Sequence, residues 1–217
     1  MQQPFVHIID NQHFWLTTAR CIFWQEQNAI IVSDLHFGKT GHFRKHGIAV
    51  PQNIFIEDIQ RLVEVITHFK AEKVIAVGDL FHSYANKEMD LFLKWRQDFA
   101  HLHFDLIKGN HDILNADWYK KVGIQIHTNE MVIDNFSFVH DIATCNENIT
   151  SYCFSGHIHP GVLIKGISKQ SLRFPCFHFA ENHAVLPAFS RFTGLANIKA
   201  NKKDSVFAIV EKTIIKV

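Results

Sequence analysis

Short apolar runs that end in aspartate, asparagine or histidine recur along this 217-residue sequence, and they constrain its fold more than any other feature. AIIVS is followed by DLH, KVIAV by GD, and FDLIK by GNHD. A short run rich in branched apolar residues is typical of a buried strand. Because the strands of one sheet deliver their carboxyl ends to a common edge, we expect these polar residues to gather there.

The segments between the early runs predict helices. After Pro51, an apolar stripe recurs at spacings of four and three residues, formed by Phe55, Ile59, Leu62, Ile66 and Phe69. Proline is tolerated in the first turn of a helix, so the helix is expected to open there. Further helices are expected over residues 88–99 and from about 114 to 121, and from residue 124 strands dominate. We therefore expect an α/β fold in which two sheets form a sandwich, as one domain over residues 1–217.

Composition excludes several classes of protein. The formal net charge of +1 lacks the basic excess of a dedicated nucleic-acid binder. Four cysteines without a C-x-x-C pair indicate neither a zinc ribbon nor a redox motif, and scattered thiols suit a reducing compartment. The sequence shows no secretory signal pattern and no apolar run near the roughly 20 residues that span a bilayer. A soluble protein of the cytoplasm, without a membrane partner, is expected.

One motif near the first apolar run is misleading. Gly38, Lys39 and Thr40 look like the end of a phosphate-binding P-loop. That loop also requires a glycine five residues before the second one, and Ser33 stands there. A P-loop NTPase is therefore rejected, and the polar residues after the strand need another explanation.

The polar residues after the apolar runs match the ligands of divalent metal ions. Carboxylate and amide oxygens with imidazole nitrogens suit manganese, iron or zinc, and the lack of cysteine among them argues against a structural zinc cage. Seven candidates exceed the needs of one ion, and a carboxylate can bridge two ions about 3.5–4 Å apart. The candidates are Asp34, His36, Asp79, Asn110, His140, His157 and His159.

The order of these blocks resembles a known family. The patterns D-x-H, G-D, G-N-H-D, H and G-H-x-H occur here as SDLH, VGDLFH, KGNHD, FVH and SGHIHPG, and together they resemble the calcineurin-like metallophosphoesterases. The longer runs SDLHFGKTGHFRKHG and LPAFSRFTG are similar to the bacterial DNA ligase-associated phosphoesterases. The resemblance implies a double β-sheet sandwich flanked by helices, and for this branch a role in DNA repair beside a DNA ligase or helicase.

The resemblance also implies a role for each matching residue. Asp34, His36 and His159 would hold one ion, Asn110, His140 and His157 the other, and Asp79 would bridge them. His111 would contact the substrate phosphate and act as general acid, with a third-ligand role as the alternative, and Asp112 would orient its imidazole. Two departures are His82, where relatives often carry aspartate, and Asp141, where they often carry glycine. Mn²⁺ is the favoured ion, with iron or zinc as alternatives.

The implied reaction is hydrolysis of a phosphate ester by a metal-activated water molecule, with diesters favoured and with DNA or RNA as a candidate substrate. A phosphomonoesterase acting on a nucleotide or phosphoprotein is one alternative, and a non-catalytic metal-binding interaction module is another. Lys39 and Arg44, with the adjacent Lys45, either guide a phosphate backbone or form a solvated loop. His82 is expected beside the substrate rather than as a ligand.

Overall fold

The first sheet contains seven strands whose order in space follows their order in the chain. The structure is a computed structural model that describes residues 3–39, 54–82, 87–145, 151–166 and 171–217. Strands one to four form an antiparallel meander, and strands four to seven run parallel. They are β1 (Phe5–Ile9), β2 (Gln12–Leu16), β3 (Ile22–Trp24), β4 (Ala29–Val32), β5 (Lys73–Val77), β6 (His103–Ile107) and β7 (Gln125–His127).

Three described helices connect the parallel strands of this sheet. They are α1 (Ile54–Phe69), α2 (Lys87–Asp98) and α3 (Ala116–Lys121). The predicted stripe on α1 faces the core, with Phe55, Leu62 and Ile66 buried, and the helix ends at the last residue of that stripe. Pro51, where the helix was expected to open, lies outside the described residues.

The second sheet contains nine strands and is formed by the later part of the chain. They are β8 (Glu130–Ile133), β9 (Phe136–Val139), β10 (Tyr152–Ser155), β11 (Pro160–Lys165), β12 (Ser171–Phe179), β13 (His183–Val185), β14 (Ala196–Asn197), β15 (Ser205–Val210) and β16 (Thr213–Lys216). The sequence did not predict β11, β14 and β16. In β11 the residues after Gly161 are partly or fully exposed, and so are all residues of β14 and β16. Strands that bury few side chains do not show the apolar pattern from which a strand is predicted.

The apolar core forms two layers, one on each face of the first sheet. In β4, Ile30 and Val32 pack toward the helices, whereas Ala29 and Ile31 pack against the second sheet. Side chains of a strand alternate between its two faces, so a strand covered on both sides is apolar throughout. This explains the uninterrupted apolar runs, and the expected α/β sandwich of two sheets with helices is confirmed.

Aromatic rings fill the layer between the two sheets. Phe14 and Trp24 come from the first sheet, and Phe136, Phe138 and Phe154 come from the second. The Phe154 ring lies 5.1 Å from the Phe14 ring and 5.4 Å from the Phe138 ring, measured between centroids. Offset and edge contacts of this kind add to the hydrophobic free energy of burial, so this layer holds the sheets face to face. Within the described ranges, no helix combines the length and apolarity that a bilayer crossing requires.

Replacing Phe154 with alanine tests this layer. The side chain is fully buried and contacts rings from both sheets, so Phe154→Ala is expected to lower the free energy of unfolding by about 3–5 kcal/mol. Urea denaturation followed by fluorescence measures the change. Leu172→Ala is the control, because its side chain is 62% exposed and its loss should cost less than about 0.5 kcal/mol. Equal losses in the two variants would contradict this account of the core.

Candidate metal centre

Loops from both sheets meet at one edge of the sandwich. The loop after β4 bonds to the loop after β5, since the backbone N–H of Asp34 donates to the carbonyl of Gly78 at 3.2 Å and that of His36 to Asp79 at 2.9 Å. In the second sheet, the N–H of Gly156 after β10 donates to the carbonyl of His140 after β9 at 3.0 Å. The polar residues that follow the apolar runs are therefore brought together, as the sequence led us to expect.

The first group of potential ligands combines residues from both sheets. Asp34 and His36 follow β4, and His159 follows β10. The His159 Nε2 atom lies 3.3 Å from His36 Nε2 and 3.5 Å from the Asp34 Oδ1 atom. One ligand atom from each residue fits within 4.8 Å of the others, so these three side chains can hold a single cation.

The second group also draws on both sheets. Asp79 follows β5, whereas His140 and His157 follow β9 and β10. His140 Nε2 lies 3.6 Å from Asp79 Oδ2, 3.1 Å from His157 Nδ1 and 3.0 Å from the Asn110 Oδ1 atom. The structure thus brings Asn110 beside this group, and its predicted role as an oxygen ligand stays a prediction. The bridging role of Asp79 stays a prediction.

The backbone at these residues is unusual. Five of the seven predicted ligands have positive φ angles: Asp34 (52°), His36 (49°), Asp79 (49°), His157 (66°) and His159 (52°). Residues with a side chain rarely adopt this left-handed conformation, and each instance costs on the order of 1–3 kcal/mol. Such strain persists where the surrounding structure enforces it, and it clusters at functional sites.

The state of Asp34 fits a bound cation. Its side chain is fully buried, and among the described residues its Oδ1 atom has no hydrogen-bond partner. Its Oδ2 atom accepts the backbone N–H of His157 at 3.0 Å. A buried carboxylate oxygen without a partner loses its hydration and gains nothing in return. A divalent cation between Asp34, His36 and His159 would supply the missing interaction.

The electrostatics around His36 also suit a metal ligand. Burial lowers the pKa of this imidazole to about 2, and the neighbouring Lys39, His159, His82 and His111 add to the effect. The ring is therefore neutral at neutral pH, and a neutral imidazole keeps the lone pair that binds a cation. The carboxylate oxygens and imidazole nitrogens of the two groups suit divalent cations, but they do not select one metal over another.

His111 lies beside the second group and remains accessible. Its backbone N–H donates to Asp79 Oδ1 at 2.9 Å, and its Nε2 atom lies 3.9 Å from Asp79 Oδ2. The side chain is 41% exposed, so a substrate can reach it. The centroid of the His82 ring lies 4.1 Å from that of the His111 ring, so the two side chains are adjacent. The expected position of His82 beside the substrate stays a prediction.

Asp112 has a different role from the one that the sequence suggested. It was expected to orient the His111 imidazole, but its carboxylate accepts the backbone N–H groups of Phe81 and Gly109, each at 2.9 Å. Burial raises the pKa of Asp112 to about 7, although the two N–H donors act in the opposite direction. Asp112 therefore fixes the loop that carries Asn110 and His111, and it supports the imidazole through the backbone.

Three glycines contribute to the site by having no side chain, and the sequence analysis missed this role. A Cβ atom on Gly109 would lie 2.2 Å from Asp79 Oδ1, and one on Gly156 would lie 2.6 Å from Asp34 Oδ2. Gly78, with φ of +78°, would place a Cβ 1.9 Å from His140 Nδ1. The signal was present in the sequence, because each glycine directly precedes a predicted ligand in GD, GN or GH.

Of the predicted substrate-binding cations, the structure describes Lys39. Its side chain is half-buried, burial lowers its pKa, and Asp79 and Asp34 act in the opposite direction. Arg44 and Lys45 lie outside the described residues. A cavity of about 400 Å³ opens next to His140 and is lined by Lys108, Thr128, Asn129, Glu130, Val139, Asp141 and Thr144. Asp141, one of the two departures, caps the short 3₁₀ turn Ile142–Thr144 by accepting from the N–H of Ala143 at 3.0 Å.

Comparison with known proteins adds one informative likeness. The nuclease MPE of Pseudomonas putida superposes on this chain with a TM-score of 0.84 at 25% identity, covering 99% of this chain and 100% of that protein. The E. coli phosphoesterase YfcE reaches a TM-score of 0.46 at 13% identity, covering 87% of this chain and 97% of its own. At that TM-score YfcE carries no argument. Neither a protein-family model nor a curated protein sequence matches this chain.

The two-sheet fold and its two groups of metal-type ligands define a metal-dependent phosphoesterase, which is a hydrolytic enzyme. The order of its motif blocks resembles that of the calcineurin-like metallophosphoesterases, and the full-length likeness to the nuclease MPE agrees with that resemblance.

Gly109→Ala tests whether the site needs the space that this glycine leaves. The new methyl group would collide with the Asp79 carboxylate, so Mn²⁺ affinity is expected to fall by about 10–100-fold. Calorimetric titration of the metal-free protein measures it. Gly194→Ala is the matched control, because a Cβ there meets nothing within 4 Å. The interpretation fails if both variants bind Mn²⁺ as the wild type does.

Proposed function

We propose that this chain is a dinuclear metal-dependent phosphodiesterase that acts on nucleic acid. The observation that carries the proposal is the pair of adjacent ligand groups, Asp34–His36–His159 and Asp79–His140–His157, with the accessible His111 beside them. The likeness to a protein described as a nuclease, over the full length of both chains, supports a diester substrate. A double-stranded or single-stranded DNA backbone offers such diesters, as does RNA.

The ligands divide between two ions as the motif pattern indicates. Asp34, His36 and His159 would hold the first, Asn110, His140 and His157 the second, and Asp79 would be shared. Two bound divalent ions supply an activated water molecule and positive charge against the phosphate oxygens. We propose Mn²⁺ as the bound ion, and iron and zinc also suit the same mixed oxygen and nitrogen ligands.

His111 would handle the proton on the leaving side of the reaction. When an ester bond to phosphorus breaks, the departing alkoxide oxygen needs a proton, and an imidazolium can donate it. The exposed ring of His111 next to Asp79 suits this task, and the loop fixed by Asp112 holds it in place. His82, whose ring lies against His111, would contact the same part of the substrate.

The surroundings of the centre suit an extended, negatively charged substrate. Lys39 interacts electrostatically with Asp79 and Asp34, and Lys108 lines the cavity beside His140, so two lysines lie near the proposed ions. Lysine neutralises phosphates without reading sequence. By resemblance to the ligase-associated branch, we extend the proposal to DNA repair in the cytoplasm, in association with a DNA ligase or helicase.

Hydrolysis of bis-nitrophenyl phosphate beside nitrophenyl phosphate, with added Mn²⁺, tests the proposed reaction. We expect faster turnover of the diester, because one substituent can occupy the cavity beside His140 while the other leaves. Asn110→Ala, prepared in parallel, removes an oxygen from the second group and should lower the rate by about 10–100-fold. A rate that Asn110→Ala does not reduce belongs to a contaminating enzyme.

The other outcomes of this assay separate the alternatives. A monoester preference would indicate a phosphomonoesterase acting on a nucleotide or phosphoprotein. Failure to turn over either ester, with Mn²⁺ bound, would indicate an interaction module that keeps the metal without the chemistry. A diester preference would be followed by linear, nicked and single-stranded DNA and by RNA, and cleavage of none of them would contradict the nucleic-acid assignment.

His111→Ala tests the general-acid role. With an alkyl leaving group, kcat is expected to fall by about 10²–10⁴-fold, because a positioned acid contributes that much. With a nitrophenyl leaving group, which departs readily as an anion, the loss should be much smaller. Kinetics on both diesters, with Mn²⁺ affinity measured by calorimetry, provide the readout. If His111→Ala weakens Mn²⁺ binding and slows both substrates equally, His111 is a metal ligand instead.

A further inference from the structure

A short segment near the C-terminus joins the two loops that supply the first ligand group. We call residues 186–190 the bridging segment. At its start, the N–H of Leu186 donates to the carbonyl of Ser155, the last residue of β10, at 2.8 Å. At its end, the N–H groups of Phe189 and Ser190 donate to the carbonyls of Ser33 and Asp34 at 2.8 and 3.2 Å.

The position of this segment matters because of where the ligands come from. Asp34 and His36 follow β4 in the first sheet, whereas His159 follows β10 in the second. The bridging segment bonds to the ends of these same two strands, and Ala188 forms a parallel bridge with Ser33. It therefore links the two halves of the first ligand group through backbone hydrogen bonds.

Two arginines hold the bridging segment by its carbonyl groups. Arg20, in the turn between β2 and β3, donates through Nη1 to the carbonyls of Ala188 at 3.4 Å and Ser190 at 3.0 Å. Arg61, on α1, donates through Nη2 to the carbonyl of Phe189. Three successive carbonyls thus accept from two guanidinium groups, while the adjacent N–H groups bond to the end of β4.

The placement of these arginines is costly. Arg61 is buried, stacks 4.1 Å from the centroid of the Phe189 ring, and pairs with Asp58 at 2.9 Å. Arg20 is half-buried near Arg61 and Arg191. Burial, and to a smaller extent the positive charges of these two arginines, lower the pKa of Arg20 to about 10. It stays charged at neutral pH. Bringing such cations together out of water is unfavourable unless they make specific interactions, and the carbonyls of the bridging segment supply those.

We infer that Arg20 and Arg61 are positioning residues for the first metal ion: by fixing the bridging segment, they keep Asp34 and His36 at the correct distance from His159. The inference rests on the ligand assignment in the proposed function, but it does not depend on which ester is the substrate. Neither arginine touches a ligand side chain in the hydrogen bonds described above. Their effect passes through the backbone of the bridging segment.

Arg20→Gly is the most informative variant. Arg20 has φ of 67°, a conformation that glycine adopts without strain, so the substitution removes the guanidinium while relieving the backbone. Arg20→Lys is the conservative variant, since it keeps the charge but lacks the planar fork that reaches two carbonyls. Glu211→Gly is the matched control, because Glu211 is exposed, has φ of 50°, and lies in the turn between β15 and β16.

Calorimetric titration with Mn²⁺ and hydrogen exchange of the metal-free protein provide the readouts. We expect Arg20→Gly to weaken one Mn²⁺ site by about 10–100-fold and Arg20→Lys to weaken it less. The amides of Phe189 and Ser190 should exchange faster in Arg20→Gly, with a melting temperature close to that of the wild type. Glu211→Gly should match the wild type in all three measurements.

Unchanged Mn²⁺ affinity in Arg20→Gly would overturn the inference and leave the proposed function intact. An equal loss of affinity in Glu211→Gly would also overturn it, because the effect would then belong to any change at a turn. A wild-type protein that binds no Mn²⁺ would overturn the ligand assignment itself, and the inference with it.

Discussion

The packing of the two sheets is the interaction on which the rest of the structure depends. Each group of proposed ligands takes residues from both sheets: Asp34, His36 and Asp79 from the first, and His140, His157 and His159 from the second. Their distances of 3 to 4 Å are therefore determined by an aromatic layer that lies in the interior of the sandwich. Close-packed rings resist sliding, so a large, rigid layer defines the positions of a few polar atoms.

At the edge of the sandwich, backbone conformation and hydrogen bonds hold the ligand side chains in position. Five of the seven proposed ligands adopt left-handed backbone conformations, and glycines leave room for the carboxylates of Asp34 and Asp79. Backbone N–H groups that donate to the Asp112 carboxylate, and the N–H groups of the bridging segment, hold the loops that carry these ligands in place. Ligands held in this way need little rearrangement when a cation binds, and preorganisation of this kind makes a site both selective and effective.

The features of the fold and of the site that could be predicted from the sequence are those marked by a pattern among neighbouring residues. The apolar stripe predicted the helix α1, and the apolar runs predicted the strands that position the ligands. The motifs that follow those runs contain all seven proposed ligands. What these features share is that the physical signal lies within a few neighbouring residues, where periodicity and turn chemistry can be read.

The elements that were missed depend on contacts between distant residues. Arg20 meets the carbonyl of Ser190, which is 170 positions away in the chain, and no local pattern marks either residue. Asp112 was assigned to its neighbour His111, but its partners are backbone groups that the fold brings to it. The strands β11, β14 and β16 lack a strong apolar face, since much of their surface meets water.

The sharing of ligands between the sheets also has a consequence for how the protein matures in the cell. Synthesis proceeds from the N-terminus, and the first sheet is complete at His127, well before the loop that contains His157 and His159. Neither ligand group is complete until that loop has left the ribosome. The nascent first sheet thus carries Asp34 and Asp79 without their histidine partners from the second sheet, so a complete metal site would form only late in synthesis.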